Sequence, residues 1–424
     1  MDTLDFPQEL LEMVSSYLQK DVQSLQNLSL SARAWRFPAQ RHLFSYLVIL
    51  QTSQSFEASG GRLWVLLAEN PRLANYVRVA KFSFTHHTGM LNYFLDILPL
   101  LKELHLHTEG GLASWSSLVD NTWICKHLET MQVTRLRISG GSLPLDAFLH
   151  LSTSVAHLDL SDLRSDSLKL RPALPSGFRP FRPRSLYTQD IGMEHLIPLV
   201  GPPASPISLQ HVLHLFYEQS THWKNPETAS IEKLLRASPR CERFGMMGGL
   251  CHNWRPDRDP VLHLSVRSLL FVYSTSQRYR GDIFFAALDD VTRIRSDTLE
   301  ELTLCFLFAT DDCRTQFIKA HQSWRLLDRL LMRNDLYTVR VIRIHIGGLP
   351  SFARRGAGAG AVVGGQHGAP TPASEQGGRR ARMVEKVRSF MPLLDGEGVL
   401  DVQIMDDVID NNVRDHPWFD VGFR

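Results

Sequence analysis

A chain of 424 residues, 43% of them hydrophobic and 21% charged, exceeds one ordinary domain and has ample material for a core, so a small part and a large part are expected. The formal net charge of +2 and the absence of any Lys/Arg run argue against nucleic acid or an anionic membrane as partner. Five cysteines, Cys125, Cys241, Cys251, Cys305 and Cys313, include no CxxC pair, which fits neither a disulfide framework nor a common zinc site. The opening MDTLDFPQELLEM is acidic, and no run reaches the roughly eighteen apolar residues of a membrane span. A cytoplasmic or nuclear location is expected.

Residues 5 to 44 read as three short helices. Asp5 is placed to cap the first, Pro7 sits where a missing N–H costs nothing, and Leu10, Leu11, Val14, Tyr17 and Leu18 recur at helical spacing. Asp21 is placed to cap a second helix bearing Leu25 and Leu28. Pro38 cannot lie deep in a third without removing a backbone bond, so that helix starts near Arg33 or Ala34, or kinks. Forty residues with so little core are marginal alone.

Beyond residue 60 an apolar triplet recurs, with two residues between its first and second positions and one between its second and third. It reads Val79/Phe82/Phe84, Leu101/Leu104/Leu106, Val133/Leu136/Ile138, Val155/Leu158/Leu160, Val266/Leu269/Phe271, Leu299/Leu302/Leu304, Val339/Ile342/Ile344 and Val399/Val402/Ile404. Weaker copies are Val212/Leu215/Tyr217 and Cys241/Phe244/Met246. The last two positions alternate as one face of a short strand does, and helical patterns fall between most copies. The fold class expected is therefore α/β with a mostly parallel sheet. The shared spacing favours an irregular leucine-rich-repeat-like solenoid over 60–350, against an ordinary doubly wound domain with Leu/Val-rich strands. RPALPSGFRPFRPRS, 171–185, reads as a surface loop. Residues 351–380, rich in Gly and Ala, read as a disordered insertion, and 381–424 as the last helix, strand and tail.

Little here points to bond chemistry. GAGAGAVVGG lies in a low-complexity tract without the strand and helix of a phosphate-binding loop. His86-His87 and Cys251-His252 lack the paired spacing of a zinc site, so no metal and no cofactor is expected. No hydrolase or kinase signature occurs. Arg and Trp, the common anchors of protein interfaces, cluster around Trp64, Trp223-Lys224 and His252-Asn253-Trp254-Arg255, although half-burial between repeats is the favoured reading of each single Trp.

FPQELLEMVSSYL followed by QKDVQSLQNLSLSARAWRFPAQRHLF resembles an F-box, and its tail, Leu-Ser-x-x-x-x-Trp-x-x-Pro-x-x-x-x-Leu-Phe, is similar to the version common in mushroom-forming fungi. The resemblance covers about a tenth of the chain. It departs from the family at Phe6, where leucine is usual, and at Ser15, where a larger apolar residue is common. It implies a three-helix module, residues 1–48, that docks on a Skp-family adaptor and through it on cullin. Phe6, Pro7, Leu10, Leu11, Val14, Leu18, Leu25 and Leu28 are then the adaptor-facing or interface-core set, and Trp35, Leu43 and Phe44 brace the third helix. The chain would be a non-catalytic substrate receptor of an SCF-type ubiquitin ligase that recruits a protein target through the remaining region. A scaffold that leads to no ubiquitination is the alternative; a plain N-terminal cap of the repeat array would account for Leu43 and Phe44 but not for apolar residues on two further faces of the helices.

Overall fold

The computed structural model describes residues 7–19, 21–50, 56–84, 89–108, 130, 132–140, 154–163, 179–189, 191–200, 205–218, 228–247, 262–274, 283–308, 310–333, 336–348 and 373–404. They fall into two compact units, Met1–Ile191 with Pro198–Ser208, and Gly192–Ile197 with Leu209–Arg424. The division lies inside the stretch 60–350 that reads as one array in sequence.

The first unit opens with three helices. α1 (Gln8–Tyr17) follows Pro7 at its N-cap position. α2 (Val22–Ser31) is capped by Asp21, whose carboxylate accepts from the Ser24 backbone N at 3.0 Å and the Ser24 hydroxyl at 2.6 Å. Those bonds hold the Asp21 carboxyl below its ordinary range, the hydroxyl contributing most. α3 (Arg33–Leu43) begins one residue after the extended Ala32 and carries Pro38 inside it. The proline leaves the Ala34 carbonyl without its helical donor, and Ala34 is exposed, so water can replace that bond. α1 and α2 both pack on α3, burying Leu11, Leu25, Pro38 and Ala39.

β1 (Tyr46–Leu50) follows α3 almost directly and starts a parallel series with β2 (Val79–Phe84), β3 (Glu103–Thr108), β4 (Arg135–Ser139), β5 (His157–Ser161) and β6 (Ser185–Gln189). Each strand pairs with the next one in the chain. α4 (Phe56–Glu69), α5 (Pro71–Ala74) and α6 (Gly89–Ile97) fall between the early strands. The Phe82 and Phe94 rings, 5.9 Å apart, place α6 against the triplet face of the sheet.

Past β6 the chain forms α7 (Met193–Val200) and α8 (Thr228–Ala237), and the second unit repeats the scheme. β7 (His214–Glu218), β8 (Arg243–Met247), β10 (Ser268–Ser274), β12 (Glu301–Phe308), β13 (Val341–Gly348) and β14 (Leu400–Ile404) pair in that order, all parallel. The short strands β9 (Leu262–His263) and β11 (Ile294–Arg295) pair only with each other. The triplet face is covered by α9 (Ile283–Arg293), α10 (Asp311–Lys319) and α11 (His321–Leu331), whose Phe284, Phe317 and Trp324 meet Phe306 of β12. Trp324 is fully buried, and its indole N–H donates to the Phe317 carbonyl at 3.1 Å. Asp328 caps α13 (Pro392–Gly396), accepting from the backbone N of Leu393 at 3.1 Å and Leu394 at 3.0 Å. The architecture is thus α/β with parallel strands and helices on the triplet face.

A backbone device marks the register independently of side chains. One carbonyl just before each strand accepts two successive N–H groups from the next strand's start. Ser45 O takes Arg78 N and Val79 N, Arg78 O takes Lys102 N and Glu103 N, and Lys102 O takes Thr134 N and Arg135 N. In the second unit Leu213, Glu242, Arg267 and Glu300 do the same. Two residues after each acceptor stands a core-facing side chain: Leu47, Ala80 and Leu104 in the first unit, Leu215, Phe244, Leu269 and Leu302 in the second.

This register corrects the sequence-read triplets at two places. In β2 the residues aligned with Leu104 and Leu106 are Ala80 and Phe82, so the copy is Val77/Ala80/Phe82. In β14 Leu400 and Val402 align with Ile342 and Ile344, so the copy is Glu397/Leu400/Val402. Both errors are shifts of two residues, which keep the same face because side chains alternate. Two copies escape the pattern altogether, Phe44/Leu47/Ile49 in β1 and Pro183/Leu186/Thr188 in β6, the second because a proline and a threonine break the apolar run. The segment 171–185 is also less loop-like than its composition implies at its described end. Phe181 is buried in a bridge to Ile207, and Ser185 opens β6. Likewise α12 (Ala373–Phe390) takes in residues 373–380 of the expected insertion.

Candidate functional site

The N-terminal helices divide the expected partner-facing residues into two sets. Leu10 and Val14 are exposed on α1, and Pro7 is exposed at its start. Leu11 and Leu25 are buried between the helices, and Leu18 and Leu28 are half-buried. Leu11 and Leu25 are therefore the core of the module, and a substitution there tests its folding before any contact. Phe6 lies outside the described residues. Trp35, Leu43 and Phe44 are all half-buried, Leu43 closing α3 and Phe44 following it as its C-cap.

The structure adds residues to the exposed set. Met13 is 65% and Tyr17 90% exposed, and with Leu10 and Val14 they give α1 an outward apolar stripe at spacings of three and four. Val22 and Leu30 of α2 and Phe37 of α3 are exposed as well. Tyr17 belongs to the helical periodicity seen in sequence, but periodicity alone does not say which half of the apolar set the neighbouring helices take. Exposed apolar residues this dense on so small a module are unusual unless something covers them. Phe37 also receives the Arg72 guanidinium 4.4 Å above its ring, a cation–π contact that ties α3 to α5.

A second set lies on the sheet face opposite the helices. Because Ala80, Leu104, Leu136 and Leu158 point to the helical side, the residue after each points the other way. Across β1 to β6 this row reads Val48, Lys81, His105, Arg137, Asp159 and Tyr187. Beside it run Tyr46, Val79, Glu103, Arg135, His157 and Ser185. His105 Nε2 lies 2.6 Å from Glu103 Oε1, Arg135 Nη1 lies 3.5 Å from the same oxygen, and Arg137 Nε meets Asp159 Oδ2 at 2.8 Å. Burial pushes the Glu103 carboxyl up, but the His105 bond and then Arg135 outweigh it and take the group down to about 2. Burial is the largest influence on His105 and lowers it, so the neutral ring donates its Nε2 proton to an ionised Glu103. Sequence reading missed these residues because their side was undefined until the register was known.

Other sequence candidates carry less. Trp64 is half-buried, edge-on to Tyr93 at 5.9 Å, as a residue packed between helices is. Burial pushes the Cys241 and Cys305 thiols up to about 12, which makes both poor nucleophiles at neutral pH. His86-His87, Cys125, Trp223-Lys224, Cys251 to Arg255 and GAGAGAVVGG lie outside the described residues. Among the described residues no group of three or more His, Cys, Asp or Glu is placed to hold a metal ion, and no helix is long and apolar enough to cross a membrane.

No protein-family model matches the chain, and no curated protein matches it in sequence.

Proposed function

We propose that the chain is a substrate receptor of an SCF-type ubiquitin ligase, with the N-terminal helices docking as an F-box on a Skp-family adaptor and the repeat-like sheet recruiting a target protein. The observation that carries this reading is the exposed stripe Leu10, Met13, Val14 and Tyr17 on a three-helix module whose own core is supplied by Leu11 and Leu25. Covering such side chains yields roughly 1.5 to 3 kcal/mol each in gross transfer terms, against an association cost of about 4 to 15 kcal/mol, so several must be used together. A plain cap of the sheet accounts for the burial of α3 and leaves this stripe without a purpose. The strand order within each unit, sequential except that the short β9 and β11 are passed over, supports a leucine-rich-repeat-like solenoid as the presenting region. The chain itself would break no bond; it would raise the target's local concentration near a charged conjugating enzyme.

The test is co-purification of the full chain with adaptor and cullin. Leu10→Asp with Val14→Asp should abolish adaptor capture while leaving the far-ultraviolet circular dichroism unchanged. Adaptor captured without cullin would favour the alternative of a scaffold, and undiminished capture by the double variant would sink the F-box reading.

A further inference from the structure

We propose that the strand face of β2 to β4 is a docking site for an acidic peptide segment of a partner protein, its carboxylate held between Lys81 and Arg137. These two cations occupy the same register row on strands separated only by β3. At about 4.8 Å per strand their backbones stand about 10 Å apart, and both side chains are long enough to converge on one group above His105. Arg137 is aimed for this. Its Nε lies 2.8 Å from Asp159 Oδ2, an ion pair that draws the guanidinium along the strand face. Lys81 is half-buried with no ion pair among the described residues. The half-exposed Tyr46 phenol stands within the field of Arg137 and Glu103 and is a further donor at the rim.

The charge balance selects the ligand. Among the described residues of this face Lys81, Arg135 and Arg137 stand with Glu103 and Asp159, a surplus of one positive charge that complements a single carboxylate. A phosphate dianion or a nucleic-acid backbone would meet both carboxylates at close range, and the chain has no basic run to follow a backbone. His105, held neutral, adds no charge and forms the floor. The site is separate from the α1 stripe, so its failure leaves adaptor docking standing, and the reverse.

The experiment is fluorescence anisotropy of the full chain with a fluorescein-labelled peptide of alternating glutamate and serine. Its glutamine counterpart, a phosphoserine peptide lacking glutamate and a single-stranded oligonucleotide serve as comparisons. The glutamate peptide should bind at least about tenfold more tightly than the glutamine peptide at low salt, and the difference should shrink as salt rises. Lys81→Gln and Arg137→Gln should each weaken it by about tenfold, and Lys233→Gln, in the second unit, should not. Arg137→Gln also removes an ion pair that shapes the face, so Lys81→Gln, which breaks none, is the decisive variant. Equal binding by Lys81→Gln, no binding of the glutamate peptide up to about 1 mM, or binding confined to the phosphoserine peptide or the oligonucleotide would each overturn the proposal.

Discussion

The two units share a backbone plan and differ in what they place on the face away from the helices. The row that carries Val48, Lys81, His105, Arg137 and Asp159 in the first unit carries Phe216, Gly245, Leu270, Thr303 and Arg343 in the second. Leu270, Val272, Cys305 and Leu307 are buried there, as are their neighbours on the helical side, so β10 and β12 are enclosed on both faces. The helical side has to be apolar in both units because it forms the core. The other side is under no such demand, and it is polar in one unit and core-like in the other. The helical side of each unit is thus held to one composition by the core, and the opposite side is free to differ between them.

Substitutions at matched positions should break or sharpen this contrast. The largest effect is expected at Leu270→Asp, a charge placed at 0% exposure, which should cost at least about 4 kcal/mol in chemical denaturation. Val48→Asp, in the same row but 43% exposed, should change stability by no more than about 0.5 kcal/mol. Equal losses would mean that the two faces do not differ. Trp324→Ala removes the centre of the Phe284/Phe306/Phe317 cluster and should cost about 3 to 5 kcal/mol, read in the second unit by loss of amide-exchange protection over β12. Asp328→Ala, which uncaps α13, should cost about 1 to 2 kcal/mol, with Asp328→Asn recovering part of it.

The pH dependence of stability follows different groups in the two units. Burial takes His345 down to about 4, so its neutral form is favoured by folding. The stability this contributes is complete above the unfolded value near 6.5 and is lost as pH falls toward about 4. His105 acts in the same direction in the first unit. Glu103, at about 2, contributes stability that persists above about 4.5 and is lost as pH falls toward 2. His345→Leu should therefore flatten the stability profile between pH 6.5 and 4, and Glu103→Gln should flatten it only below 4.5. A profile that His345→Leu leaves unchanged would contradict the assignment of that window.

The helical face was legible in the sequence because burial demands apolar residues at fixed spacing, and Leu104, Leu136, Leu158, Leu269, Leu302 and Ile342 meet that demand in the open. Where a copy is filled by a small or polar residue, as at Ala80, Thr188 or Glu397, the pattern slides or disappears while the backbone keeps its register. The cap at Asp21 and the start of α3 at Arg33 were readable for a local reason, since each is set by residues a few positions away. The charged face was not, because Arg135 reaches Glu103 and Arg137 reaches Asp159 only across strands. The division of α1 into a buried Leu11 and exposed Leu10, Val14 and Tyr17 also depends on α3, which periodicity does not locate.

The central proposal concerns that exposed stripe, and native mass spectrometry of the purified full chain mixed with a purified Skp-family adaptor tests it most directly. A one-to-one complex that the Leu10→Asp, Val14→Asp double variant fails to form, while the Lys81→Gln chain forms it normally, is the result expected. A wild-type chain that stays free of the adaptor at micromolar concentrations, or a double variant that still binds it, would contradict the account.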